Sequence, residues 1–276
     1  MRFTTVLRPF ILERWWCRAD AGGGRGGPLS RGGAGVLARH LLLIAVALGF
    51  GPPRSLAEPG LTRELAAAAP ALDAKALAFA VSALQCAQRG ALAAAKRLAV
   101  IDYSLPSTQP RLWVFDLDTR SLLREEYVAH GRGSGENLAS RFSNEPGSLQ
   151  SSLGLFRTAE SYVGRNGYSL RLEGLEPGIN DRAFERAIVL HGAPYVSDEA
   201  LRQLGRLGRS LGCPAVRPEI ATELIDEIKG GQYLFVYYPD RDFLAGSSLL
   251  ACSADTLSDA GQYAGSSSAA ASAGER

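Results

Sequence analysis

Apolar positions along the chain change period, and each change marks a different kind of element. Residues 58–98 are dense in Ala and Leu, with Leu77, Ala80, Val81 and Leu84 recurring at helical spacing. Pro70 splits this stretch into two helices, and Asp73 is placed to cap the second. From about Leu98 the period falls to two. Residues 111–117, R-L-W-V-F-D-L, read as a strand. Asp118-Thr119-Arg120 is a polar turn, and residues 122–129 read as the return strand of a hairpin. Residues 168–175 alternate, residues 187–190 form a short buried-type strand running into His191, and residues 232–238 form another strand. Helical stretches interrupt these near 198–207 and at 219–229, the latter followed by Gly230-Gly231 as a closing signal. Many short strands with two inserted helices predict a mainly β sandwich or barrel with a short helical lead-in. From about Phe243 the order fades. The Ser, Ala and Gly of residues 247–276 bury too little apolar area to offset chain entropy, so the sequence predicts a disordered tail over 243–276.

The first residues read as targeting rather than fold. Residues 1–35 are rich in Gly and Arg, and Arg39-His40 precede the apolar run of residues 41–50. Gly51-Pro52-Pro53 break the run, and Ser55-Leu56-Ala57 offers small residues where a signal peptidase reads. The run is shorter than the roughly 20 apolar residues of a membrane span, so no stable span is expected after cleavage. An uncleaved anchor is the competing reading. The long stretch before the run also fits a true start near Val36. Residues 1–57 are thus an N-terminal extension and signal peptide, which implies export to the periplasm or cell envelope.

Composition narrows the function. Lys plus Arg is 30 and Asp plus Glu is 28, a balance that gives no general field for a polyanion, so nucleic acid is not an expected partner. The four cysteines, Cys17, Cys86, Cys213 and Cys252, are too few for a disulfide scaffold in 276 residues. Export would permit a bond between Cys86 and Cys252, but their places in the lead-in and in the tail argue against it. Only three histidines occur: His40, His130 and His191.

His191 ends the strand R-A-I-V-L and begins H-G-A-P-Y, where Gly192 and Pro194 turn the chain. That place suits a cleft, although a lone histidine there serves equally well to bond a loop. Cys213 lies in G-R-S-L-G-C-P-A, residues 208–215. Gly212 lets backbone approach a ligand and Pro214 stiffens the next turn. Such a loop exposes a sulfur and aims amide hydrogens at a developing oxyanion. Ser210 either holds the loop or orients a partner. A buried inert cysteine is the commoner fate, but the flanking Gly and Pro and the missing apolar run speak against it. A thiol has a pKa near ~8.5, and a nearby histidine can take its proton. With no C-x-x-C and no H-E-x-x-H, the sequence calls for no metal, and with neither S-x-x-K nor G-x-S-x-G it offers no serine route.

H-G-A-P-Y at 191–195 followed by G-R-S-x-G-C-P-A at 208–215 resembles the murein L,D-transpeptidase catalytic domain. I-D-Y-S-L-P-S at 101–107, V-F-D-L at 114–117, A-H-G-R-G-S-G at 129–135, F-S-N at 142–144, S-S-L-G at 151–154 and G-I-N-D at 178–181 agree with the branch of that family carrying G-C-P-A. The resemblance covers roughly residues 70–240. It implies a catalytic domain over 99–242, acyl transfer without a cofactor, Cys213 as nucleophile and His191 as general base. Ser210 and Gly212 match the serine-x-glycine-cysteine signature. Two departures stand out. Leu211 replaces the second histidine usual in the broad family, and Gly192 removes a serine that would hold the imidazole, which leaves its orienting partner open, with a backbone carbonyl as the favoured candidate.

The implied chemistry is attack of Cys213 on the bond between the diamino acid and the terminal D-alanine of a tetrapeptide stem, followed by transfer to an amine. The acceptor is an amine of a second stem, water in a carboxypeptidase, or an amine on an outer-membrane protein. Arg209 and Arg217 are candidate forks for substrate carboxylates, with Tyr195, Asn180 and Ser143 as further candidate cleft residues. Asn144, Asp181 and His130 stand beside them, each as well suited to hold a loop. A peptidoglycan-binding module that has lost its chemistry, and an exported cysteine peptidase acting on protein, are the rival classes.

Overall fold

Eight strands form one sheet in a computed structural model whose described residues are 59–89 and 94–252. The element order is α1 (Pro59–Ala68), α2 (Ala74–Arg89), β1 (Arg97–Asp102), β2 (Leu112–Asp116), β3 (Ser121–Glu126), β4 (Gly154–Gly164), β5 (Gly167–Gly174), β6 (Val189–Gly192), α3 (Asp198–Leu204), β7 (Ala215–Val216), α4 (Pro218–Ile228), β8 (Tyr233–Tyr237) and α5 (Arg241–Gly246). Strand order is β3-β2-β1-β8-β4-β5-β6-β7. β1 runs parallel to β8 and β6 parallel to β7, and the other neighbours are antiparallel. The signal-peptide reading of residues 1–57 lies outside the described residues. No helix among them is long and apolar enough to cross a membrane.

The helices follow their sequence signals. The Asp73 carboxylate accepts from the backbone N–H of Lys75 and Ala76 at 2.9 and 3.0 Å, capping α2 as its position predicts. α2 buries Leu77, Ala80, Val81 and Leu84 as one face and packs on β1, β4 and β8. α3 is capped by Ser197 and stops at Gly205 in the left-handed region, three residues short of the predicted end. α4 closes at Lys229 rather than at the glycine pair, and Gly231 N–H then bonds Thr158 O at 2.9 Å.

Two strands depart from period two, each for a physical reason. β1 is central and buried on both faces, so R-L-A-V-I-D reads as a continuous apolar run. β4, the longest strand, carries a register shift between Thr158 and Ser161 that breaks the alternation.

The predicted tail begins too early. α5 and a further helical turn at 248–252 are ordered elements. Ser247 hydroxyl donates to the buried Glu176 carboxylate, and Cys252 is disulfide-bonded to Cys86 in α2. The sequence places these cysteines far apart, and folding of 241–252 back onto α2 brings them together. Residues 253–276 lie outside the described residues.

The sheet's outer strands meet. Just beyond β3, Ala129 pairs with Ala215 of β7, N to O at 2.7 and 3.3 Å. Ser210 N–H bonds His130 O at 3.0 Å, and Arg132 N–H bonds Ser210 O at 2.8 Å. This seam bends the sheet into a nearly closed barrel. Arg111 lies beneath it with no exposure. Its guanidinium donates to Val128 O at 3.0 and 2.8 Å, to Leu105 O at 2.8 Å and to His130 Nδ1 at 2.8 Å. It also stacks over the Tyr103 ring at 4.9 Å. Burial lowers its pKa to about 10, so it stays cationic at neutral pH. Burial, with the Arg111 charge second, pushes His130 down to about 4 and keeps it neutral. His130 is therefore a seam residue and not part of the cleft.

Arg111→Met would strand buried carbonyls that each cost about 1–3 kcal/mol when unpaired. Urea denaturation is expected to show a stability loss of about 3 kcal/mol or more, and a loss under about 1 kcal/mol would contradict the assigned role.

Candidate active site

β6 and β7 bring the two chief sequence candidates together. His191 stands in register with Ala215, and its N–H reaches Pro214 O at 3.4 Å, one residue past Cys213. The Cys213 sulfur accepts from Val189 N–H at 3.5 Å. Both side chains line one cleft of about 420 Å³, with Tyr195, Arg209, Ser210 and Leu211 also in its wall.

The loop bearing Cys213 is laced from three sides. Ser210 Oγ donates to Cys213 O at 2.6 Å and accepts from Gly212 N–H at 3.1 Å. Its hydroxyl therefore holds the loop, and Gly212 N–H is already committed. Ser151 Oγ donates to Gly212 O at 3.0 Å and accepts from Gly131 N–H at 3.0 Å. Gly212 has φ +130, a conformation side chains rarely adopt. A Cβ on Gly131 would meet the Gly212 Cα at 2.8 Å, so the two glycines allow the seam and the Cys213 loop to touch.

His191 Nδ1 is 2.9 Å from Gly192 O. A carbonyl only accepts, so Nδ1 carries the proton and Nε2 keeps its lone pair. This is a backbone carbonyl in the role the missing serine leaves open.

The electrostatics favour a neutral resting pair. Burial raises the Cys213 thiol, opposed in part by Val189 N–H and by the Arg186 charge. Burial likewise lowers His191, opposed by its bond to Gly192. A resting thiolate–imidazolium pair would need both shifts reversed. The thiol instead faces Ala187 O at 3.7 Å. Ala187 has φ +53, a strained setting for a non-glycine residue that costs about 1 kcal/mol.

Other predicted site residues divide. Arg209 lines the cleft, bound to Glu136 at 2.7 Å and to Gly135 O at 2.8 Å. Tyr195 lines it too, and burial pushes its phenol up to about 12. Arg217 does not line it: its guanidinium grips Glu126 with contacts of 2.7–3.1 Å. Asn180 is also corrected. It is wholly buried, its amide donating to Leu153 O and Leu155 O and accepting from Glu176 N–H. Ser143 borders a separate cavity of about 280 Å³, and its hydroxyl accepts from Glu145 N–H. Asn144 and Asp181 bond each other at 2.7 Å outside the cleft.

Sequence reasoning passed over Arg186 and Arg165, both in the cleft wall. Arg186 donates to Ser143 O and Gln150 O at 2.6 Å each and to Ser148 Oγ at 3.2 Å, tying residues 143–150 together beside the cleft. Among the described residues no group of His, Cys, Asp and Glu could hold a metal ion.

A cysteine and a histidine thus line one cleft, the cysteine on a polar-laced loop and the histidine on the strand beside it. Residues 68–237 match the L,D-transpeptidase catalytic domain, and the chain belongs to that family of cysteine-dependent acyltransferases. Similar solved structures include an L,D-transpeptidase from Mycobacterium smegmatis, 16% identical, covering 52% of this chain and 59% of that one, with a TM-score of 0.33. L,D-transpeptidase 3 from Mycobacterium tuberculosis is 15% identical, with coverage of 52% and 61% and a TM-score of 0.34. An L,D-transpeptidase from Stackebrandtia nassauensis is 12% identical, with coverage of 66% and 77% and a TM-score of 0.33. The chain thus spans less than two thirds of the length of the first two. No curated protein sequence matches it.

Iodoacetamide alkylation of Cys213 in the free protein is expected to rise with pH through a midpoint above that of a free cysteine thiol, because burial raises the thiol pKa. A plateau already reached at pH 6 would show a resting thiolate and contradict the neutral pair. Gly212→Ala is expected to cut turnover at least tenfold, by forcing φ away from +130 and moving the sulfur. Unchanged turnover would free the loop from that constraint.

Proposed function

We propose that this protein is an exported peptidoglycan L,D-transpeptidase with Cys213 as nucleophile and His191 as general base. The observation that carries the reading is the His191–Gly192 bond, which fixes Nδ1–H and leaves Nε2 free in the cleft that Cys213 also lines.

The chemistry follows from a neutral pair. As Cys213 Sγ attacks the carbonyl between the diamino acid and the terminal D-alanine, the thiol proton moves to His191 Nε2. Gly212 N–H is bound to Ser210, so the tetrahedral oxygen takes its hydrogen bond from the Cys213 N–H instead. The C–N bond breaks, D-alanine leaves with the proton from His191, and a thioester remains. An amine of a second stem then attacks, His191 takes its proton, and collapse forms the new amide and restores the thiol. Water as acceptor would instead release a tripeptide stem, the carboxypeptidase outcome.

Two features support action outside the cytoplasm. The apolar run at 41–50 with its flanks reads as a secretory signal. The Cys86–Cys252 disulfide belongs to an oxidising compartment such as the periplasm.

A carbapenem acylates a nucleophile of this kind without a good acceptor. Mass analysis after incubation is expected to show one adduct on Cys213, absent in Cys213→Ser. No adduct on the intact chain, or one that survives the substitution, would overturn the assignment.

A further inference from the structure

The β4–β5 hairpin reaches beyond its neighbours. β8 pairs with β4 only over residues 154–157, and β6 pairs with β5 only over 169–171. The outer part, from Ser161 to Tyr168, is an arm beyond the β6 and β8 pairings, closed by Arg165-Asn166 between Gly164 and Gly167. Gly167 has φ +75, and a two-residue loop of this kind keeps both strands in tight register. The register shift between Thr158 and Ser161 redirects the arm. Tyr168 then ties it down, its hydroxyl donating to Asp226 of α4 at 2.7 Å. The result is a fixed arm whose tip, Arg165 and Asn166, forms part of the wall around Cys213 and His191.

The charge of that wall is one-sided. It holds three arginines, Arg165, Arg186 and Arg209, and no carboxylate. Two of the three are engaged. Arg186 gives its donors to the 143–152 loop, and Arg209 is neutralised by Glu136. Arg165 has no hydrogen-bond or ion-pair partner among the described residues. An exposed guanidinium at a cleft wall with all its donors open can serve as a fork for a planar oxyanion.

We infer that Arg165 is a specificity residue that binds a free carboxylate of the acyl-donor stem, and that the cleft is selective for stems whose carboxylates are not amidated. The inference rests on the proposed transpeptidase reading for the identity of the stem. Two carboxylates of such a stem flank the scissile bond, that of the diamino acid side chain and that of the terminal D-alanine. They share one chemistry, and amidating each in turn separates them.

The test uses the purified chain, with Arg165→Gln and Arg165→Lys. Its ligands are a disaccharide tetrapeptide with both carboxylates free, the same stem amidated at the diamino acid, and the same stem ending in D-alaninamide. Calorimetry reads Kd and a coupled assay of D-alanine or D-alaninamide release reads KM and kcat. Arg165→Gln is expected to raise Kd and KM for the free stem about tenfold while kcat stays within about threefold, with Arg165→Lys recovering only part of the loss, as a point charge replaces the fork. Amidation of the responsible carboxylate should raise the values for the intact chain similarly and make that stem insensitive to Arg165→Gln. Kd for the free stem unchanged within about twofold in Arg165→Gln would overturn the inference. A stem that binds through Arg165 yet is never turned over would support the inference and sink the transpeptidase reading. The two failures are therefore distinguishable.

Discussion

Ala129 and Ala215 exchange the backbone bonds that join the two outer strands of the sheet, and the rest of the site hangs on that junction. A sheet left open there would expose polar edges and let residues 208–215 drift from β6. The closure depends on Arg111, a buried cation that gathers Leu105 O, Val128 O and His130. A charge taken out of water is expensive unless its donors are filled. Here every nearby acceptor belongs to the chain that must be held, so the cost of burying Arg111 fixes the seam. His130 accepts from Arg111 and passes its carbonyl to Ser210, and Gly131 lies against Gly212. The positions of His191 and Cys213 follow from this packing more than from any direct bond between them.

That origin shapes the chemistry. A scaffold that buries both groups pushes the thiol up and the imidazole down, so the resting pair is neutral. In the proposed mechanism a neutral thiol is a weak nucleophile until a substrate carbonyl arrives and the proton transfers to Nε2. Reactivity is thereby coupled to occupancy of the cleft. The guanidinium groups in the cleft wall favour anionic groups on the ligand.

Much of this was legible in the sequence, and the failures have causes. Leu77, Val81 and Leu84 mark α2 because one face of it is buried. The strands around Trp113, Ser169 and Phe235 show apolar runs or alternation that survive into the sheet. β4 was hidden because its register shift interrupts the period. Cys213, His191, Ser210 and Gly212 stand out in the sequence by short-range motif, and the fold brings Cys213, His191 and Ser210 to one cleft. Asn180, Arg217 and Ser143 share the polarity of cleft residues, but whether a polar group faces ligand or backbone depends on partners distant in sequence. Glu126 for Arg217 and Leu153 O for Asn180 are such partners. Cys86 and Cys252 are separated by 166 residues, so only the folded chain reveals their bond. Arg165 had one local signal, the G-R-N-G of a two-residue hairpin turn, which marks a tip without saying what the tip covers.

The central claim is that the Cys213–His191 cleft transfers an acyl group between peptidoglycan stems. Muropeptide analysis tests it most directly: purified sacculi rich in tetrapeptide stems are incubated with the chain or with Cys213→Ala, digested and separated. Crosslinks joining the diamino acids of two stems are expected with the chain and not with the variant. Tripeptide stems alone would turn the protein into a carboxypeptidase, and an unchanged profile would contradict the account.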